Sequence, residues 1–154
     1  MRKLISKGSL VQDNWEPADP DANPAGSRQI LSLEQWQAQP DKSGLAVQLE
    51  PGQAPAPLFD FLDVTALIAI NFPVFTDGRG FSYARELRER GYKGELRACG
   101  HFIRDQLTYL QRCGFDAFQM VDESGLEEAL ESLVDFSEHY QAAVDQPLPL
   151  FRRR

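Results

Sequence analysis

Apolar residues recur along this chain at two different periods, and the switches between them mark out its elements. Residues 45 to 49 alternate as a half-buried strand does and end at Glu50, Pro51 and Gly52, a breaker. Ala66, Leu67, Ile68, Ala69 and Ile70 form a continuous apolar run, which suits a central strand covered on both faces, as in parallel sheets. Residues 95 to 99 and 115 to 121 are the next two strands. Helical spacing fills the intervals: Leu58, Phe61 and Leu62 after the first strand, then Tyr83, Ala84 and Leu87 in a helix that Ser82 can cap and Gly91 stops. A further helix from about residue 101 to 113 shows Ile103, Leu107 and Leu110 on one stripe and ends at Gly114. Ser124 with Glu127 makes a capping box for a last helix, with Leu126, Ala129, Leu130, Leu133, Val134 and Tyr140 facing inward.

The first 44 residues carry a weaker pattern. Leu4-Ile5 and Leu10-Val11 flank Ser6, Lys7, Gly8 and Ser9, which is turn chemistry and predicts a small β-hairpin. Residues 17 to 27 are rich in Pro, Asp, Ala and Asn and read as a flexible connection. Ser32 and Gln35 form a capping box for a short helix carrying Leu33 and Trp36, which Pro40 must end. Residues 45 to 144 are then an α/β domain of four strand-helix units joined by right-handed crossovers, and 145 to 154 an extended tail, within one globular domain overall. The expected architecture is a half β/α barrel or an open sheet, the two standing level. A half barrel leaves edges that the N-terminal hairpin or a second copy in a homodimer would have to cover.

A length of 154 residues supports one core without disulfides or metal, and 42% apolar with 25% charged residues is ordinary for a globular protein. A net charge of -7 argues against nucleic acid as a partner. The balance is uneven, however: residues 77 to 112 hold eight basic and five acidic side chains. Cys99 and Cys113 stand outside any zinc-ligand spacing, so no metal is expected. No apolar run is long enough to span a bilayer and the start lacks a signal-peptide core, so no membrane is expected and the reading is cytoplasmic, with reduced thiols.

In parallel α/β folds the loops after the strands meet on one side, together with helix N-termini. That rule selects Glu50, the loop Thr76, Asp77, Gly78, Arg79 and Gly80 with Ser82, then Gly100 and His101, and Asp122 and Glu123. Two glycines around Arg79 allow close backbone approach, Arg79 offers a fork of donors to an oxyanion, and a helix start at Ser82 adds positive potential. An ordinary Asp-Gly turn with Arg79 paired to a neighbouring acid is the structural alternative. Glu95, Arg97 and Cys99 share one side of a strand, where Glu95 and Arg97 serve either a site or an internal ion pair, the latter ahead. Arg104, Asp105 and Gln106 extend the same polar set. Asp77 and Glu95 are the candidate proton-exchanging groups. Cys99 beside His101 reads first as a packing cysteine, as does Cys113, and His139 as surface or packing. No cofactor motif is evident: the chain has no Gly-x-Gly-x-x-Gly, no Gly-x-Ser-x-Gly and no iron-sulfur cysteine set.

Several stretches together resemble a bacterial family of unknown biochemical function, often described as a probable oxidoreductase involved in sulfite reduction and encoded beside assimilatory sulfite reductase. They are Leu4-Ile5 through Asp13-Asn14-Trp15, Leu33-Glu34-Gln35-Trp36, Phe72-Pro73 with Phe75 to Gly80, Gly94-Glu95-Leu96-Arg97-Ala98, Arg104-Asp105-Gln106, and Arg112-Cys113-Gly114-Phe115-Asp116-Ala117-Phe118. The resemblance implies a role in sulfur assimilation. Three expectations follow: an accessory protein binding a small oxyanion or a partner at the Asp77 to Arg79 loop; an oxidoreductase or transferase acting on an anionic substrate; or a scaffold docking sulfite reductase or its electron donor through the tail. Cys99 and His101 replace the family's usual aliphatic residue and acid.

Overall fold

The computed structural model describes residues 3–18, 28–73, 79–101, 106–120 and 125–136. Eight strands make one sheet: β1 (Lys3–Ser6), β2 (Ser9–Gln12), β3 (Glu16–Pro17), β4 (Gln29–Ser32), β5 (Ala46–Leu49), β6 (Leu67–Phe72), β7 (Glu95–Gly100) and β8 (Ala117–Met120). Their spatial order is β2-β1-β8-β7-β6-β5-β4-β3. β1 runs antiparallel to both β2 and β8, and every other pairing is parallel. The helices are α1 (Leu33–Ala38), α2 (Arg79–Glu89), α3 (Leu107–Cys113) and α4 (Leu126–Phe136), with a 3-10 turn at Ala56–Phe61. Among the described residues no helix is long and apolar enough to cross a membrane.

The order of the strands dictates the shape of the sheet. β2 and β3 are its opposite edges, yet only residues 13–15 join them. Eight flat strands would hold their edges about 34 Å apart, whereas the chain from Gln12 to Glu16 can reach at most about 15 Å. The sheet must therefore curl until its edges stand no more than about 15 Å apart where the strap joins them, which decides for the half barrel over the open sheet. The strap of residues 13–15 then passes along the inside of the curl. Its Asp13 is bonded to Arg97 of β7, 84 positions away in sequence.

Strand alternation divides the core between two faces. Outward-facing Val47, Leu49, Ile68, Ile70, Phe72, Leu96, Ala98 and Phe118 pack with Ala84, Leu87, Leu107, Leu110, Leu126 and Ala129 of the helices. Inward-facing Ile30, Ala46, Leu67, Ala69 and Cys99 form a second, smaller core with Trp15 of the strap. Ala46 and Leu67 are fully buried, so the interior of the curl is filled. A sheet apolar on both faces is what the run 66 to 70 demanded.

Several local expectations are met. The hairpin β1–β2 is present, and the Ser32–Gln35 capping box forms in both directions, at 3.2 and 3.0 Å. Trp36 is buried edge-on against Phe61, and Gly114 closes α3 at φ +118°. Others need correction. β6 runs two residues past the apolar stretch, so Phe72 is core and not loop. Gln29–Ser32, of which only Ser32 was read, as a cap, is a parallel strand, since two apolar residues, Ile30 and Leu31, suffice when each feeds a different face. α2 is already formed at Arg79, so Ser82 lies exposed within it and is not its N-cap. The connection at 19–27, Ser124, and everything after residue 136, including His139, Tyr140 and the tail, lie outside the described residues.

Candidate functional site

Polar groups on the inner face of the sheet gather into two clusters. The deeper one is built on Arg97, in the middle of β7 and only 2% exposed. Its Nη1 donates to both carboxylate oxygens of Asp13 and to Gln119 Oε1, each at 3.1 Å, while Nε and Nη2 donate to Glu95 Oε2 at 3.0 and 2.9 Å. Two carboxylates and an amide oxygen thus surround one guanidinium. Burying an unpaired charge costs several kcal/mol, so this arrangement is a fastening. Same-side placement of Glu95, Arg97 and Cys99 is as the strand period requires, and Glu95 and Arg97 form the internal ion pair.

The second cluster stands at the carboxyl ends of β5, β6 and β7, where parallel strands in α/β folds present their ligand groups. Glu50 follows β5 directly, and each of its oxygens is held by a side-chain amide: Gln48 Nε2 to Oε2 and Asn71 Nδ2 to Oε1, both at 2.7 Å. The amide oxygens turn the other way, toward Cys99 Sγ, 3.7 Å from Gln48 Oε1 and 3.9 Å from Asn71 Oδ1; the Ile70 carbonyl lies 3.5 Å from the same sulfur. Register brings this about, with Asn71 directly beside Cys99 and Gln48 beside Ala69. Gly100 completes the set. It sits at φ +110°, and a Cβ there would come within 2.5 Å of the Phe72 carbonyl oxygen and 2.7 Å of Asn71 Oδ1. Gln48, Glu50 and Asn71 are half-exposed and Cys99 is buried, so the cluster is a floor reached from the mouth of the curl.

Arg79 reaches the same rim from outside. It is the first residue of α2, is exposed, and its Nη1 lies 3.3 Å from where a Cβ on Gly52 would be, over the turn that follows Glu50. Tyr83, one helical turn on, accepts the Gly52 N–H at its hydroxyl at 3.2 Å. Gly80 is buried in the helix, and a Cβ there would strike the Phe72 ring at 2.6 Å. Gln106 precedes α3 without capping it through its side chain. His101 is exposed, and its backbone N–H donates to the Phe72 carbonyl at 2.8 Å. Thr76, Asp77, Gly78, Arg104, Asp105, Asp122 and Glu123 lie outside the described residues.

Of the expected site, then, Arg79 is at the mouth and Arg97 is committed below it. Gln48, Asn71, Gln119 and Asp13 escaped the sequence reading. Their signal was there in the strand period: Gln48 and Glu50 share a face at i, i+2, and Asn71 interrupts an apolar strand.

A cavity of about 570 Å³ opens at the opposite, amino-terminal end of the strands, lined by Lys7, Arg88, Tyr92, Lys93, Asp116 and Phe118 among others. Arg88 is a clamp there. Its Nε and Nη1 donate to the Gly114, Tyr92 and Gly94 carbonyls at 2.9 Å, and its Nη2 is 3.6 Å from Asp116. Burial raises the Asp116 carboxyl above the ordinary carboxylate range, against the Leu96 N–H and Arg88, which hold it down. Tyr92 is likewise pushed up by burial. Among the described residues no three His, Cys, Asp or Glu side chains come together as metal ligands would.

Fold and mouth together define a mixed α/β half barrel with a polar floor at the carboxyl ends of its parallel strands. The chain belongs to a family of bacterial proteins of unknown function, DUF934, whose model matches residues 46–151. No curated protein matches it. The matched region begins at the first residue of β5, so the strap and its Asp13 lie outside it while Arg97 lies within.

Proposed function

We propose that this protein is an accessory component of assimilatory sulfite reduction that binds a small oxyanion, sulfite by charge and size, at the mouth of the curled sheet. One observation carries the reading: an exposed arginine, Arg79, opens an 11-residue helix and overhangs the turn directly after Glu50. A guanidinium at a helix start combines a fork of donors with the positive end of the helix dipole, and both favour an anion. The pathway comes from the family resemblance of the motifs around residues 72 to 80, 94 to 98 and 112 to 118.

Calorimetry with sulfite, sulfate and phosphate tests the ligand. Sulfite should give a saturable heat that weakens roughly tenfold or more in Arg79→Ala, as loss of a charge-assisted hydrogen bond requires. Equal heats in both proteins, or none in either, would remove the anion site. A deletion strain tests the pathway: it should grow on cysteine and poorly on sulfite as sole sulfur source, and equal growth on both would dissociate the protein from sulfite reduction.

A further inference from the structure

The Glu50 cluster has an imbalance that the Arg97 cluster lacks. Its acceptor sites outnumber its donors: each amide keeps one N–H beyond its bond to Glu50, against the open lone pairs of two amide oxygens and a carboxylate. One amide N–H of Gln48 and one of Asn71 are donated to the carboxylate, which can only accept when ionised. Both amide oxygens are thereby turned away from Glu50, and together with the Ile70 carbonyl they converge on a sulfur that carries a single proton. One S–H, a weak donor, cannot serve three oxygens. Each Glu50 oxygen also keeps acceptor capacity beyond its one amide partner.

A water molecule supplies two donors and no charge. A protonated primary amine supplies three donors in a compact head and the positive charge that Glu50 lacks within the cluster. We propose that the floor formed by Gln48, Glu50, Asn71 and Cys99 is a subsite for the ammonium group of a small ligand, with Glu50 as its counter-ion and the two amide oxygens as its remaining acceptors. Gly100 keeps the approach to Asn71 Oδ1 open, since any side chain there would sit 2.7 Å from that oxygen. The inference rests on reading the mouth as a small-molecule site, but not on Arg79 or on sulfite.

Side-chain amide resonances of Gln48 and Asn71 in a ¹H–¹⁵N spectrum report on this floor directly. Titration with ethylammonium chloride and with each of the twenty L-amino acids should move both saturably for at least one of these probes, while potassium chloride at equal ionic strength should not. Glu50→Gln keeps the volume and an acceptor, and should weaken that binding roughly tenfold or more while leaving the melting temperature within a few degrees. Asn71→Ser is a second variant, expected to weaken binding while Gln48 and Glu50 remain. Resonances that stay still with every amine, that move equally with potassium chloride, or that move alike in wild type and Glu50→Gln would overturn the proposal. Sulfite binding lost in Arg79→Ala but retained in Glu50→Gln, without any response to amines, would sink the ammonium subsite and leave the oxyanion reading standing. Amine binding without sulfite binding would do the reverse.

Discussion

Two polar clusters share the inner face of one sheet, a few residues apart on β7, and they differ in how their hydrogen-bonding capacity is spent. Around Arg97 five hydrogen bonds link the guanidinium to Asp13, Glu95 and Gln119, and the arginine is 2% exposed. Around Glu50 one N–H from each of two neutral amides meets the carboxylate, acceptor oxygens outnumber the donors, and three of the four residues are reachable from the mouth. Polar residues inside a barrel therefore do not by themselves mark a site. The arithmetic of donors against acceptors separates the fastening from the floor.

Breaking the fastening should have the largest effect. Arg97→Met leaves Asp13 and Glu95 without their guanidinium partner and should cost about 3 to 5 kcal/mol, the usual penalty for removing one partner of a buried pair. Urea denaturation measures it. Adding Asp13→Leu and Glu95→Gln to that variant should recover part of the loss, because the stranded charges go with it. No loss in Arg97→Met would mean that contacts other than this guanidinium hold the strap.

Gly100→Ala probes the support of the floor and should have an intermediate effect. It places a side chain at φ +110° against the Phe72 carbonyl, and strain of that kind is worth about 1 to 3 kcal/mol. A melting curve unchanged from wild type would show that β7 can shift there without penalty, and with it the approach to Asn71.

The smallest effect lies at the other end of the strands, where Asp116 is buried beside Arg88. Its carboxyl is raised in the folded protein above the ordinary value of 3.8. The folded state then holds this proton more tightly than the unfolded chain does, so its stabilising contribution is full below 3.8 and fades as pH rises through the folded-state value. Asp116→Asn has no proton to lose. Melting temperatures from about pH 3 to about pH 6 should fall less steeply with rising pH in the variant than in wild type. Parallel profiles would place the pH dependence elsewhere.

Legibility followed the range of the interaction. The four strands between residues 46 and 120 and the hairpin were readable because a two-residue period or a continuous apolar run is a local signal. The capping box at Ser32 was readable for the same reason, as it spans three residues. β4 was not, since Ile30 and Leu31 serve opposite faces and leave no alternation to see. Of the candidate site, Arg79 and the same-side Glu95, Arg97 and Cys99 came from sequence, as did Glu50 as a residue after a strand. Gly80 was read for close backbone approach, and what stands against it is the Phe72 ring, which no local pattern shows.

The sequence by itself determined which segments are strand or helix and which side chains share a face, because backbone geometry repeats over a few residues. Tertiary structure alone decided that the sheet curls, that Asp13 meets Arg97 across 84 positions, and that Gln48, Glu50, Asn71 and Cys99 converge from three strands. Those outcomes depend on strand order and register, which no local pattern encodes, and the curl in particular on a strap too short for a flat sheet.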